Sequence, residues 1–371
     1  MTEASRTPTG NFDALLDLAR QRGASDLYLK AGRPPILRLD GEIVYTESAA
    51  LDAAHIDHLL EPILAERTRA RLDARGDGEF AYAPGNGERF RVSVYRQRGQ
   101  TSVAVRRVKR HIPTFDDLHL PRDTMERICQ APHGLVIVAG VTGTGKSTTI
   151  AACLDTINAT RQCHIVTVED PIEYLLDDKK AFVDQREIGA DVPSYAVALE
   201  SLLREDPDVV FVGEMRSRDS AEGVLRAAET TRLVFTTTHA NSAPGTIPRV
   251  LDLFEGHERR LALDTLAVSL VAVVYQRLVP AADPNVARVP ATEILFATPA
   301  IRSAIRSGEI DRLSDVIAAG ADEGMHDLTQ DLARLVREEW IQPRAAYQVA
   351  PNPDALKMAI RGIHVNKGTV R

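Results

Sequence analysis

The hydrophobic rhythm of the chain changes near residue 134. Upstream, apolar positions fall into short helical or alternating patterns. Phe12, Leu15, Leu16 and Ala19 recur at helical spacing, which predicts an amphipathic helix over residues 12–22. Residues 26–30 alternate as a strand does, and Gly32-Arg33-Pro34-Pro35 stops them. Residues 36–45 predict two strands joined at the Asp40-Gly41 turn. A helix follows over about 52–74, then strands over 90–95 and 101–108 around Gly99. Together these predict a small α+β module. Downstream, residues 135–139, 165–168, 209–212 and 233–237 are continuously apolar runs rich in β-branched residues, separated by helix-length segments. A parallel sheet covered on both faces reads this way. The apolar stretch 266–275 is far short of the roughly 20 residues that cross a bilayer and reads as a core helix. From about residue 290 the pattern is mostly helical, as over 327–339.

Prolines mark a junction, with Ile112-Pro113-Thr114 at one end and Leu120-Pro121 at the other. The expected organisation is an N-terminal domain over 1–111, a linker over 112–121, and an α/β domain over 122–371 whose part from about 290 is mostly helical. The chain has 371 residues, room for two domains, with 26% charged and 44% hydrophobic residues. A net charge of −7 argues against a surface built throughout for nucleic acid, though not against a local basic groove. Cys129, Cys153 and Cys163 are scattered without C-x-x-C spacing, which supplies neither a four-thiolate zinc site nor a disulfide framework. The first residues carry no apolar region of the kind a secretory signal needs. A reduced, cytoplasmic protein without direct membrane insertion is expected.

The chemistry concentrates where the apolar runs end. Gly140-Val-Thr-Gly-Thr-Gly-Lys146-Ser147 matches G-x-x-x-x-G-K-[ST] in full, directly after a strand-like run and before a helix-like one. Glycines let backbone N–H groups wrap phosphates, and the following helix adds its positive end. Gly140, Thr142, Gly143, Thr144, Gly145, Lys146, Ser147 and Thr148 are therefore the candidate nucleotide-binding residues. Lys146 would reach the β- and γ-phosphates of ATP, and the Ser147 hydroxyl would hold Mg²⁺. A glycine turn with an exposed lysine is the plain alternative. The second run ends in Glu169-Asp170-Pro171-Ile172-Glu173, the third in Gly213-Glu214-Met215-Arg216, and the fourth in Thr238-His239. In an open parallel sheet, ligands bind outside the carboxyl ends of the strands. Glu214 is the candidate to activate the attacking water, with Gly213 permitting close backbone approach. Glu169 would share that role or reach Mg²⁺, so the candidate metal residues are Ser147, Glu169 and Glu214. Asp170 and Glu173 could equally cap the next helix. His239 is a candidate γ-phosphate sensor.

Residues 89–110 hold eight basic side chains and no acid. A solvated hairpin, a nucleic-acid face and arginines supplied in trans to a neighbour's triphosphate are the three readings. Little aromatic interleaving beyond Tyr95 speaks against the second. The third, which can contribute ~10³–10⁵ in rate, fits a phosphate-loop ATPase best.

With these segments in order, the chain resembles the type IV pilus retraction, or twitching-motility, ATPases, the PilT/PilU family of the secretion-ATPase superfamily. The resemblance runs from Gly23-Ala-Ser-Asp-Leu27 to about Ile363. Val168-Glu-Asp-Pro-Ile-Glu173 with Gln185-Arg186-Glu187 is similar to the family's acidic box. Residues 204–216, with glycine before Glu214, are similar to its Walker B segment, and residues 228–239 to its histidine box. The resemblance implies a PAS-like N-terminal domain joined to a RecA-like motor domain, and a homo-hexameric ring with ATP between domains and subunits. It implies a place at the inner-membrane base of a pilus, against a platform protein there. Carried over by position, Lys146 and Ser147 bind phosphate and Mg²⁺, Glu214 is the catalytic glutamate, and Glu169 supports it. Arg91, Arg98 and Arg106 are the matching N-domain arginines. The loop Gly-Val-Thr-Gly-Thr-Gly-Lys-Ser, Phe90-Arg-Val-Ser-Val-Tyr and the ending around Asp354 to Arg361 look closer to the accessory PilU branch, which implies a principal PilT-like ATPase as partner. Two positions depart from the family: Thr231-Arg232 stands for its usual Gly-His, and Thr238 for its Leu. Ala300-Ile-Arg302-Ser-Ala-Ile-Arg306 resembles its C-terminal A-I-R-x-x-I-R motif. Pilus-extension and type II secretion ATPases are the nearest alternative, but often carry a four-cysteine zinc insertion. A nucleic-acid-dependent motor is the more distant one.

Overall fold

The computed structural model describes residues 11–39, 41–85, 88–230 and 232–362, and the chain divides after Lys109 into two compact units. The first holds α1 (Phe12–Gln21), β1 (Asp26–Lys30), β2 (Ile36–Leu39), β3 (Glu42–Tyr45), α2 (Ala53–Leu60), α3 (Glu66–Arg75), β4 (Asp77–Tyr82), β5 (Phe90–Gln97) and β6 (Gln100–Arg107). Its strands form one antiparallel sheet in the order β3-β2-β1-β6-β5-β4. The Asn11 side chain accepts a hydrogen bond from the Ala14 N–H and starts α1, whose Phe12, Leu15, Leu16 and Ala19 are all buried. They share one core with Leu27, Leu29, Val92, Val94, Val103 and Val105, alternate residues of three strands. The expected helix over 52–74 is two helices. α2 ends two residues before Pro62, which has no N–H to donate back into a helix. The strand β4 is an addition to the sequence reading. Asp40 of the expected Asp-Gly turn lies outside the described residues, as do Thr231 and Ile363.

The second unit holds α4 (Arg122–Cys129), β7 (Gly134–Ala139), α5 (Lys146–Thr160), β8 (His164–Glu169), β9 (Phe182–Glu187), α6 (Tyr195–Glu205), β10 (Val209–Val212) and α7 (Arg218–Ala228). It continues through β11 (Leu233–Thr238), α8 (Ala243–Leu251), α9 (Gly256–Ser269), β12 (Leu270–Pro280), β13 (Arg288–Phe296), α10 (Pro299–Ser307), α11 (Leu313–Ala319), α12 (Leu328–Arg337), α13 (Pro343–Val349) and α14 (Pro353–Ile360). Seven strands form one sheet in the order β13-β12-β7-β11-β10-β8-β9. Only the β12–β13 pairing is antiparallel. The four apolar runs of the sequence are β7, β8, β10 and β11, side by side in its centre and buried on both faces.

Two expectations are corrected here. The stretch 266–275 is not one core helix, because α9 stops at Ser269 and β12 begins at Leu270. The β-branched residues Val271, Val273 and Val274 favour the strand. The Arg302 guanidinium donates to the carbonyls of Ala267 (2.7 Å), Val268 (2.5 Å) and Leu270 (2.9 Å), closing the helix end. The helical part also starts later than residue 290, since β13 runs to Phe296 and α10 begins at Pro299.

Candidate active site

Parallel pairing puts the carboxyl ends of β7, β8, β10 and β11 on one edge of the sheet, and the site is built there. The loop after β7 needs its glycines. Gly140 has φ +149, and a Cβ on it would lie 2.6 Å from the Gln276 carbonyl oxygen and 2.7 Å from Thr144 Oγ1. Thr144 is buried and its hydroxyl donates to the Val141 carbonyl at 2.9 Å, bracing the loop from inside. Gly145, at φ +87, precedes α5 with no side-chain cap. The first-turn N–H groups of α5 are therefore left for a ligand, as an anion site requires. Lys146 Nζ lies 2.8 Å from the Gly140 carbonyl and 3.2 Å from that of Val141. Burial lowers the pKa of this ammonium, opposed by the attraction of Glu214 and Glu173. Thr148 Oγ1 meets the Tyr174 hydroxyl at 2.9 Å.

Glu214 follows β10 with both carboxylate oxygens engaged. Arg216 Nε lies 2.7 Å from Oε2, and His239 Nε2 lies 3.0 Å from Oε1. His239 Nδ1 in turn lies 3.2 Å from the Gly140 carbonyl oxygen. A carbonyl only accepts, so this contact is a hydrogen bond when Nδ1 carries the ring proton. One chain of contacts thus runs Glu214, His239, Gly140 carbonyl, Lys146. Gly213 earns its place by close packing: a Cβ there would meet the Tyr195 hydroxyl at 2.9 Å and the Val168 carbonyl at 3.4 Å.

Glu169 closes β8 and is buried, accepting from the Thr167 hydroxyl (2.7 Å) and Gln185 Nε2 (3.1 Å). Burial pushes its pKa up to about 7, against those two hydrogen bonds and the Glu173 N–H, which favour the charge. Tyr195, half-buried beside Asp170, Arg216 and Glu214, is likewise held above the usual tyrosine range by burial.

Three polar residues here were not singled out as site residues from sequence: Tyr174, Tyr195 and Gln276. Gln276 is buried on β12, donating from Nε2 to the Thr144 carbonyl (2.5 Å) and accepting from the Thr149 hydroxyl (2.9 Å). The signal was available, because Gln276 is an amide at the end of an otherwise apolar run. Conversely, the departure at Arg232 lies just before β11, at the opposite end of that strand from His239. It pairs with Asp206 and Thr230, so this difference from the family does not touch the phosphate loop's edge of the sheet. Thr238, buried, is on that edge.

The arginine-rich window is the β5–β6 hairpin. Arg91 and Arg106 are cross-strand neighbours, whereas Arg98 sits with Gly99 in the tight turn at the far end, at φ +51. At ~3.3 Å per residue the turn is roughly 20 Å away, so Arg98 does not join the other two. Arg91 pairs with Glu79 on β4, and Arg106 Nε lies 2.8 Å from the carboxylate of buried Asp26 on β1.

Among the described residues no three His, Cys, Asp or Glu side chains converge to cage a metal. Mg²⁺ in a phosphate-loop site needs only one or two protein oxygens beside the phosphates and waters, and half-buried Ser147 in the first turn of α5 fits that donor set. No helix among the described residues is long and apolar enough to cross a membrane.

Comparison with known proteins accounts for this arrangement. Residues 14–336 match the family model described as type II/IV secretion system protein. The type IV pilus retraction ATPase PilT of Pseudomonas aeruginosa is 37% identical over 92% of this chain and 98% of its own length. The type IV pilus ATPase PilU of the same organism is 33% identical over 94% and 91%. A crystal structure of the pilus retraction motor PilT with bound ADP superposes with a TM-score of 0.85 at 38% identity, covering 94% of this chain and 99% of that one. With a complete phosphate loop at the carboxyl edge of the parallel sheet, the chain belongs to the type II/IV secretion system protein family, as an ATP-hydrolysing member.

Proposed function

We propose that the chain is a Mg²⁺-dependent motor ATPase that drives type IV pilus retraction. The observation that carries this is the continuous line of contacts from Glu214 through His239 and the Gly140 carbonyl to Lys146, in a chain similar to a retraction ATPase over 92% of its length. In this reading Lys146 and the loop N–H groups hold the phosphates, and the Ser147 hydroxyl holds Mg²⁺. Glu214 orients the attacking water once its contacts with Arg216 and His239 open. Glu169 supports it from β8. His239 links the state of the loop to that of Glu214.

The working form is a homo-hexamer, peripheral at the cytoplasmic side of the inner-membrane pilus base and acting on a platform protein there. Arg91 and Arg106 reach a neighbour's triphosphate, and Arg98, on the far turn, takes no part in that contact. Loop residues Val141 and Thr144 support a second reading, an accessory motor beside a principal PilT-like ATPase. Overall identity, 37% to PilT and 33% to PilU, does not single out that branch.

Retraction measured in cells lacking this chain, the principal motor, or both separates these readings. Loss of retraction in the first strain supports a motor, and loss only under load or in the double background supports the accessory reading. Normal retraction in every background would remove the pilus assignment. Salt-dependent stimulation of hydrolysis by DNA would favour a nucleic-acid motor instead.

A further inference from the structure

We infer that Gln276 is a positioning residue for the nucleotide, holding the phosphate loop in its phosphate-wrapping form from the neighbouring strand. The inference rests on nucleotide binding by the loop and goes beyond the residues of the loop itself. Gln276 lies on β12 one residue past Tyr275, which pairs with Ala139, the last residue of β7. Its side chain therefore enters the space under the loop where β7 has ended. It is 1% exposed, and both ends of its amide are used. Nε2 donates to the Thr144 carbonyl at 2.5 Å, and Oε1 accepts from the Thr149 hydroxyl at 2.9 Å. These contacts tie a loop residue and a residue of the first turn of α5 to a single rigid side chain. They fix the turn between them, which contains Gly145, Lys146 and Ser147.

The glycines fit the same picture. The Gln276 backbone oxygen would lie 2.6 Å from a Cβ on Gly140, and its Nε2 would lie 3.1 Å from a Cβ on Gly145. The strand at Gln276 thus packs closely against the loop: its backbone oxygen leaves no room for a Cβ at Gly140, and its side-chain amide leaves little at Gly145. A buried amide with both ends satisfied is also costly to replace by a group that satisfies only one. The chemical polarity is specific. The Thr144 carbonyl takes a donor and the Thr149 hydroxyl an acceptor, and the glutamine amide supplies both without a titratable proton.

A loop held in advance binds nucleotide without the cost of ordering itself at that moment. Loss of the clamp should therefore appear in affinity for nucleotide more than in turnover. Gln276→Met keeps the volume and removes both hydrogen bonds. Its KM for ATP and its Kd for a fluorescent ADP analogue should rise about tenfold, with kcat within about threefold of the parent. Gln276→Glu supplies the reading that simple loss of stability would not move. Ionised, its second oxygen faces the Thr144 carbonyl and repels it; protonated, it donates there as the amide did. Its affinity relative to the parent should recover as pH falls from 9 to 6, while the methionine variant shows no such recovery. Lys146→Ala is run alongside and should lose ADP binding, which keeps a failure of the nucleotide reading distinct from a failure of this one. A Gln276→Met affinity within twofold of the parent, or a Gln276→Glu deficit that does not change with pH, overturns the assignment.

Discussion

The phosphate-loop edge of the second unit and the arginine hairpin of the first treat their charges in opposite ways. At the loop, charged groups from β7, β8, β10 and β11 are brought to one edge, and the contact chain from Glu214 to Lys146 links three of those strand ends. In the hairpin, a window with eight bases and no acid folds so that acids from other strands and loops meet the arginines. Glu79 meets Arg91, Asp26 meets Arg106, and Glu88 meets Arg107 at 2.7 Å. Charge along a stretch of sequence is therefore a poor guide to charge in space. A parallel strand gathers its chemistry at one end, whereas an antiparallel sheet distributes neutralising partners along its length.

The largest effect is expected at Glu214. Glu214→Gln keeps the size and hydrogen-bonding reach of the side chain but removes its basicity, and kcat should fall on the order of 10³ with ADP affinity nearly kept. Steady-state hydrolysis and nucleotide titration check both halves. Robust turnover in that variant would move the water-activating role elsewhere on the sheet edge.

Arg106 asks whether the two regions become one site in the assembled protein. Arg106→Ala should cost about a hundredfold in kcat, below the ~10³–10⁵ known for arginines acting in trans, because engaging a triphosphate means giving up Asp26. If Arg106 acts between subunits, mixing Arg106→Ala with Lys146→Ala pairs an intact loop with an intact arginine at some interfaces. Recovered hydrolysis in that mixture supports action between subunits. Unchanged activity in Arg106→Ala alone would leave the hairpin as a solvated surface whose ion pairs contribute little.

A smaller loss, roughly tenfold in kcat, is expected for Gly213→Ala, whose new methyl group meets the Tyr195 hydroxyl. In a Tyr195→Phe background that oxygen is gone, and the double variant should regain most of the rate. Activity that stays low would place the clash against the β8 backbone instead.

How much of this was legible in the sequence follows the same division. The four central strands and their polar ends could be read because a sheet buried on both faces leaves an uninterrupted apolar run, broken where the chemistry starts. The β4 strand could not, since Asp77, Glu79 and Ala81 carry none of the enrichment that marks strands, and pairing with β5 supplies the order. The boundary at Leu270 was hidden because a buried helix and a buried strand share an apolar composition. Its decisive partner, Arg302, lies more than thirty residues away. Gln276 was visible as a residue, but its partners Thr144 and Thr149 sit more than a hundred residues earlier. The pairing of Arg106 with Asp26 likewise depends on β1 and β6 becoming neighbours.

The most delicate test of the contrast is the pH dependence of Glu169, a carboxyl that burial brings to about 7, where the hairpin's acids stay beside their arginines. An unfolded chain releases this proton near the ordinary carboxyl value of 4.5, while the folded protein keeps it up to about 7. Between those values the native state binds the extra proton, so stability falls as pH rises, and the cost is fully present above about 7. The penalty is on the order of 3 kcal/mol across the window. Glu293, buried and accepting from the Ala243 N–H at 2.6 Å, is raised to about 7 as well and contributes in the same direction. His326 and His119, both held below the usual histidine range by burial, act the opposite way as pH falls, so the carboxyl contribution is read by comparing urea midpoints at pH 5 and pH 8 between parent and variants. Glu169→Gln, which keeps an acceptor for Thr167, should gain stability over the parent at pH 8 relative to pH 5, and adding Glu293→Gln should extend that gain by a similar amount. A single variant with the parent's full pH dependence would mean that Glu169 is ionised in the folded protein, held so by Thr167, Gln185 and the Glu173 N–H against its burial.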